Sequence, residues 1–198
     1  MAEYSINPDQ TLMLGVDWQL AFGGAIPVPG ATRAFERFRS ALNHWRPIGR
    51  VALTQHTYTN PTEVGRLADF IPPVYELLSE GSSDAQLYPG IYQDEDLLIS
   101  KTRFNALIGT DLDKYLDEEN IDTVVVGGLT TPICVQTTVD ALMMSDRKVI
   151  LLEDACASQA LGELSPEEAH NSAIQRMGAL FAEVISTAEF IDRIGRLK

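Results

Sequence analysis

Two cysteines in 198 residues are too few for a disulfide framework, so Cys134 and Cys156 read as thiols of a reduced, cytoplasmic protein. Three histidines, His44, His56 and His170, leave little from which to build a two-histidine metal centre. Cationic side chains are also scarce: 15 Lys plus Arg stand against 28 Asp plus Glu, a net charge of −13. So acidic a surface repels phosphate backbones and anionic lipid, which argues against nucleic acid or membrane as the main partner. A local Lys or Arg can still reverse the field for a small anionic molecule. No apolar run approaches the length of a membrane span. The first ten residues hold Glu3 and Asp9 rather than an apolar leader core, and Gly195 to Lys198 carry no lipidation signal. Internal repeats, low-complexity tracts and interdomain linkers are missing too. What is present is ordinary globular composition, 45% apolar and 22% charged, which excludes disorder, collagen and coiled coil for the bulk of the chain. Residues 1–198 read as a single domain with a sizeable core.

Six short apolar runs read as strands: 11–17, 51–55, 97–101, 123–128, 148–153 and 183–187. They are continuous rather than alternating, the pattern of strands covered on both faces in a parallel sheet. Helical spacing appears between most of them. Phe35, Phe38, Leu42 and Trp45 make one apolar stripe, and Leu112, Tyr115 and Leu116 another behind a start at Thr110. Ser165-Pro166-Glu167-Glu168 is a fuller start, with a cap, a first-turn proline and a glutamate able to reach back. Strands alternating with helices imply an α/β fold with helices on both sides and right-handed crossovers. Residues 56–96 break the alternation with four prolines and several acids. This stretch is either a lid or a subunit contact, with room for one or two short helices.

Ligands of open parallel sheets bind beyond the carboxyl ends of the strands. Three of those ends carry Asp17, Lys101 and the stretch Gly127 to Cys134: an acid, a cation and a thiol on one rim. Each alone has an ordinary reading, as a turn cap, a surface lysine or a small buried hydrophobe; the three together point to nucleophilic catalysis. Thr131 and Pro132 suit a helix start, which places Cys134 in the first turn, where the helix dipole and the Lys101 ammonium are expected to lower its pKa. Asp17 takes the thiol proton or passes it to a leaving group. The glycines before the thiol let backbone approach a substrate, and N–H groups around Thr130 and Cys134 can face a developing oxyanion.

These segments resemble the isochorismatase-like cysteine hydrolase superfamily, which includes nicotinamidase, N-carbamoylsarcosine amidohydrolase and ureidoacrylate amidohydrolase. Val16-Asp17-Trp18-Gln19 resembles its "D-x-Q" segment. Ser100 to Leu107 resembles "K-x-x-x-S-A-F" with Asn105 for Ser, and Gly128 to Val135 resembles "G-x-[AS]-T-D-x-C-V" with Pro132 for Asp. The likeness spans nearly the whole chain. It implies a three-layer α/β/α sandwich on a six-stranded, mainly parallel, Rossmann-like sheet, with the Lys101 strand two places, roughly 10 Å, from the Asp17 strand. It implies a triad of Asp17, Lys101 and Cys134, a cis peptide at Leu129–Thr130, an oxyanion hole from the backbone N–H groups of Thr130 and Cys134, and a homodimer or homotetramer. The "D-x-H" that opens the metal site of nicotinamidases is replaced by His56-Thr57-Tyr58, so no metal and no other cofactor is expected.

Trp18, Phe22, His56, Tyr58, Arg103 and Phe104 flank the matched segments and are expected to line the substrate pocket. His44 reads as a surface residue, His170 as a solvent-facing or capping helix residue, and Cys156 as structural. Members that open the vinyl ether of isochorismate generally lack the cysteine, so the thiol favours a C–N bond in a small amide, ureido or carbamoyl compound. A vinyl-ether or ester hydrolase and a catalytically silent binding module are the alternatives.

Overall fold

The computed structural model describes residues 3–197. Along the chain run β1 (Thr11–Val16), α1 (Ala31–Trp45), β2 (Arg50–His56), α2 (Val74–Leu78), β3 (Leu97–Lys101) and α3 (Leu112–Glu118). There follow β4 (Thr123–Leu129), α4 (Gln136–Met144), β5 (Lys148–Ala157), α5 (Pro166–Leu180), β6 (Glu183–Ile185) and α6 (Thr187–Gly195). The six strands form one parallel sheet in the order β3-β2-β1-β4-β5-β6. The chain winds outward from β1 in one direction and from β4 in the other. The crevice beyond the carboxyl ends of β1 and β4 is therefore the switch point, where such sheets bind ligands.

Both faces are covered, and the strand pleat divides the apolar residues between them. Met13, Leu53, Val125 and Ile150 pack with Phe35, Phe38 and Trp45 of α1 and Phe190 of α6. Leu12, Leu14, Val124, Val126 and Leu151 pack on the other face with Leu116 of α3, Val139 of α4 and Met177 of α5. Every residue of β1 and β4 is buried. β3 departs from the expectation that all strands are covered on both sides: it is an edge strand, with Leu98 40% exposed.

Local chemistry sets the helix ends. Ser165 and Glu168 form the reciprocal capping box anticipated from their spacing. The helix expected from Thr110 begins instead at Leu112, because the Thr110 hydroxyl turns back to donate to the Ala106 carbonyl while accepting weakly from the Leu112 N–H. The helix start expected at Thr131–Pro132 is a π-helical turn, Thr131–Val135, ahead of α4. Thr131 caps nothing there; its Oγ1 lies 2.9 Å from Nδ1 of His170 on α5. His170 is thus a tie between α5 and the turn that carries Cys134, not a solvent-facing residue. His44 is exposed.

β5 runs four residues beyond its expected end, with a register irregularity opposite Val126 and Gly128. Cys156 therefore lies within the strand beside Gly128, not after it. The glycines at the end of β4 serve packing rather than substrate approach. A Cβ at Gly128 would run into the carbonyl oxygen of Val16, and one at Gly127 into the Phe38 ring. Residues 56–96 contain a 3-10 segment, Pro61–Asp69, and α2. Val64, Val74 and Leu78 pack there with Tyr58 and Ala21 as a small satellite core. The helices among the described residues include none long and apolar enough to cross a membrane.

Candidate active site

Asp17 follows β1 in the left-handed region, φ 50°, uncommon for a residue other than glycine and worth a functional explanation. Thr54 on β2 holds it there. Its hydroxyl donates to Asp17 Oδ1 at 2.6 Å and accepts from the Asp17 N–H at 3.1 Å. Thr54 was not singled out from sequence, although a threonine inside an apolar strand was the available signal.

Lys101 ends β3, and its side chain is wholly buried. Nζ lies 2.7 Å from Asp17 Oδ2 and donates to the carbonyls of Arg103 at 2.9 Å and Phe104 at 3.1 Å. Burial opposes its charge, but Asp17 and the Cys134 sulfur outweigh burial and raise its pKa, so it stays an ammonium. Cys134 reaches the same place from the π-helical turn. Its sulfur lies within 4.8 Å of an Asp17 carboxylate oxygen, near enough for both Asp17 and Lys101 to act on its titration.

The expected lowering of the Cys134 pKa does not occur. Burial pushes the thiol up, Asp17 adds to the rise, and Lys101 only partly offsets it. Burial thus favours the neutral thiol in a residue 4% exposed, with an Asp17 oxygen within 4.8 Å of the sulfur. The peptide bond Leu129–Thr130 just before the turn is cis.

His56 ends β2 directly opposite Lys101 in the parallel register. One ring nitrogen lies within 4.8 Å of both an Asp17 oxygen and the Cys134 sulfur. Nε2 is 2.7 Å from the Tyr58 hydroxyl. Gln19 fixes the backbone beneath, accepting from His56 N–H and donating to the carbonyls of His56 and Ala85, each at 2.9 Å. Tyr58 is fully buried and Phe104 stands edge-on to His56, ring centroids 6.0 Å apart. With Val64, Leu67, Phe70 and Arg103, Phe104 lines a cavity of about 280 Å³ beside this cluster.

Of the six expected pocket residues, His56, Tyr58 and Phe104 are at the site. Arg103 reaches its edge with Nη1 committed to the carbonyls of Glu63 at 2.6 Å and Thr102 at 2.7 Å, which ties down the 61–69 segment. Trp18 and Phe22 are elsewhere. Trp18 packs into the α1 layer against Phe35 and Phe38. Phe22 joins the same core.

Asp17, His56 and Cys134 converge closely enough for one ion to touch all three, yet their chemistry does not fit a metal. The Asp17 carboxylate already faces an ammonium, and the His56 Nε2 is already paired with the Tyr58 hydroxyl. Tyr58, standing where nicotinamidases carry a metal-binding histidine, has its pKa raised by burial to about 12 and is a poor donor to a cation.

Burial and the nearby Lys101 lower His56 from 6.5 to about 4, with Arg103 also lowering it and Asp17 and the Thr102 backbone opposing. The folded state therefore leaves this imidazole neutral where the unfolded chain protonates it. The stability it contributes is present above pH 6.5 and is lost as pH falls toward 4. Urea unfolding across that window is expected to show His56→Gln losing about 3 kcal/mol less than the natural protein. Equal slopes for the two proteins would refute the assignment.

The chain matches the isochorismatase domain family model over residues 11–189. It is 29% identical to the uncharacterized isochorismatase family protein YrdC of Bacillus subtilis, over 81% of this chain and 82% of that one. It is 29% identical to the ureidoacrylate amidohydrolase RutB of Pantoea ananatis, over 96% and 84% of the two chains. Its fold superposes on a cysteine hydrolase from Pseudomonas syringae pv. phaseolicola with a TM-score of 0.91 at 26% identity, covering 99% of this chain and 97% of the other.

Proposed function

The chain belongs to the isochorismatase family and is a hydrolase; from that premise we propose that it cleaves a C–N bond of a small amide, ureido or carbamoyl compound through a thioester on Cys134. The observation that carries this reading is the convergence of a carboxylate, an ammonium and a thiol at the switch point of the sheet. The similarity to a relative named for ureidoacrylate hydrolysis points to the same bond type.

Because burial keeps the thiol protonated, attack and deprotonation are coupled. As Sγ bonds the carbonyl carbon, its proton passes to Asp17, and the oxyanion is held by the N–H groups of Thr130 and Cys134. Asp17 then gives that proton to the nitrogen as the C–N bond breaks, releasing ammonia or an amine. Water loses a proton to Asp17 while its oxygen attacks the thioester carbon, and the returning proton restores the thiol. Lys101 keeps its charge throughout and steadies both the carboxylate and the transient thiolate. No step calls for a cofactor.

A panel of primary amides, ureido and carbamoyl compounds, read by ammonia release and by intact mass of the quenched protein, tests this. Ammonia release with an acyl adduct on Cys134 is the expected result. Turnover of esters or vinyl ethers without an adduct would replace the reading, and no turnover with an unreactive Cys134 would make the chain a silent binding module.

A further inference from the structure

Thr130 and Cys134, whose N–H groups hold the oxyanion in the proposed mechanism, stand at the head of the turn Thr131–Val135 and within it. That turn is π-helical, a rare conformation that concentrates at functional sites. Part of what holds it is its own. The Thr130 carbonyl accepts from the N–H groups of Ile133 at 3.1 Å and Val135 at 3.2 Å, and the Thr137 hydroxyl donates to the Ile133 carbonyl at 2.8 Å. Pro132 has no N–H to add. From another helix comes the hydrogen bond between Thr131 Oγ1 and His170 Nδ1, 2.9 Å long between residues 39 apart in the chain.

The place of that bond gives it a use. Thr131 is fully buried and follows Thr130 directly, so its side chain anchors the peptide next to the first oxyanion donor. His170 is a firm anchor, because α5 is fixed at its start by the Ser165–Glu168 capping box and along its length by buried Ala169, Ala173 and Met177. Oxyanion donors act only when they are fixed in advance where the charge will develop. A displacement of about 1 Å can cost roughly a hundredfold in rate.

On the premise of the C–N hydrolysis proposed above, we infer that Thr131 and His170 are positioning residues: their hydrogen bond fixes the π-helical turn so that the N–H groups of Thr130 and Cys134 are aimed at the oxyanion before it forms. Both act through the turn and not on the reacting atoms. Thr131→Val keeps the shape and deletes the hydroxyl, whereas Thr131→Ser keeps the hydroxyl. His170→Leu puts carbon where Nδ1 stood, whereas His170→Asn keeps a polar atom at that δ position.

Iodoacetamide and acetaldehyde together test this. Iodoacetamide joins Sγ to a methylene carbon and expels iodide, the thiol proton leaving to solvent, and no oxyanion forms. Acetaldehyde takes the S–H across its C=O: Sγ bonds the carbon, the proton ends on oxygen, and that oxygen occupies the oxyanion position. Peptide mass mapping follows alkylation of Cys134 with and without acetaldehyde, which is expected to protect the natural protein. Thr131→Val and His170→Leu should need about tenfold more acetaldehyde for equal protection, the scale of one lost neutral hydrogen bond, with the unprotected alkylation rate unchanged. On the best amide they should lose kcat by a similar factor with KM little moved, while Thr131→Ser and His170→Asn behave as the natural protein does. Protection that is the same in every variant, or absent from the natural protein, overturns the inference. So does a loss of alkylation and protection together, the mark of a purely structural role. Should Thr131→Val fail to fold, His170→Leu carries the test, since His170 is only half-buried. Protection that depends on the tie without any amide turnover would overturn the C–N reading alone; amide turnover with protection indifferent to the tie would overturn this inference alone.

Discussion

Cys134→Ala is expected to lower kcat/KM on the best amide by at least about a thousandfold, the usual scale for deleting a covalent nucleophile. Circular dichroism and the urea midpoint should change little, because alanine fills most of the same small buried space. The sulfur is already a neutral thiol in a desolvated place, so its removal strands no charge. Serine in place of Cys134 should be comparably inactive, since a hydroxyl holds its proton far more tightly than a thiol. An alanine variant that keeps more than about a tenth of the natural rate would reject the thioester route. The correction to the thiol's pKa sharpens the expectation for Asp17. With no standing thiolate, attack depends on a base at the moment of reaction, and Asp17→Asn removes it. The asparagine variant should then fail to form the acyl adduct at all, rather than form it and stall.

Lys101→Met is expected to cost about 3–5 kcal/mol of folding stability together with most of the activity. The residue is fully buried, and its ammonium serves the Asp17 carboxylate and two backbone carbonyls at once. Methionine has a similar length and no charge, so it fills the space while leaving a buried carboxylate without its counter-charge. The loss reflects that stranded charge more than the worth of the pair itself. Adding Asp17→Asn to Lys101→Met should therefore recover much of the stability and none of the activity, a positive coupling in a double-mutant cycle. Urea unfolding and ammonia release measure the two quantities separately. A single Lys101→Met protein as stable as the natural one would mean that the ion pair is not the buried element described here.

Much of the architecture was legible because its causes are local. Continuous apolar runs flanked by amphipathic stretches announce buried parallel strands and covering helices, and Ser165 with Glu168 announces a helix start within four residues of chain. The readings that failed at this level did so where a distant partner outbid the local one. Thr131 looked like a cap until His170 came within reach, Trp18 looked like a pocket residue until the α1 layer took it against Phe38, and β3 looked covered until the sheet ended beside it.

The identities of Asp17, Lys101 and Cys134, and their places at the ends of three strands, were determined by the amino-acid order alone, since a strand's carboxyl end is a matter of where an apolar run stops. Their meeting was decided by the fold. Parallel register sets His56 opposite Lys101 and brings Thr54 under Asp17, and burial then reverses the expected shift of the thiol. Hydrogen-bond partners and desolvation depend on separation in space rather than along the chain, and only the folded sheet supplies that separation.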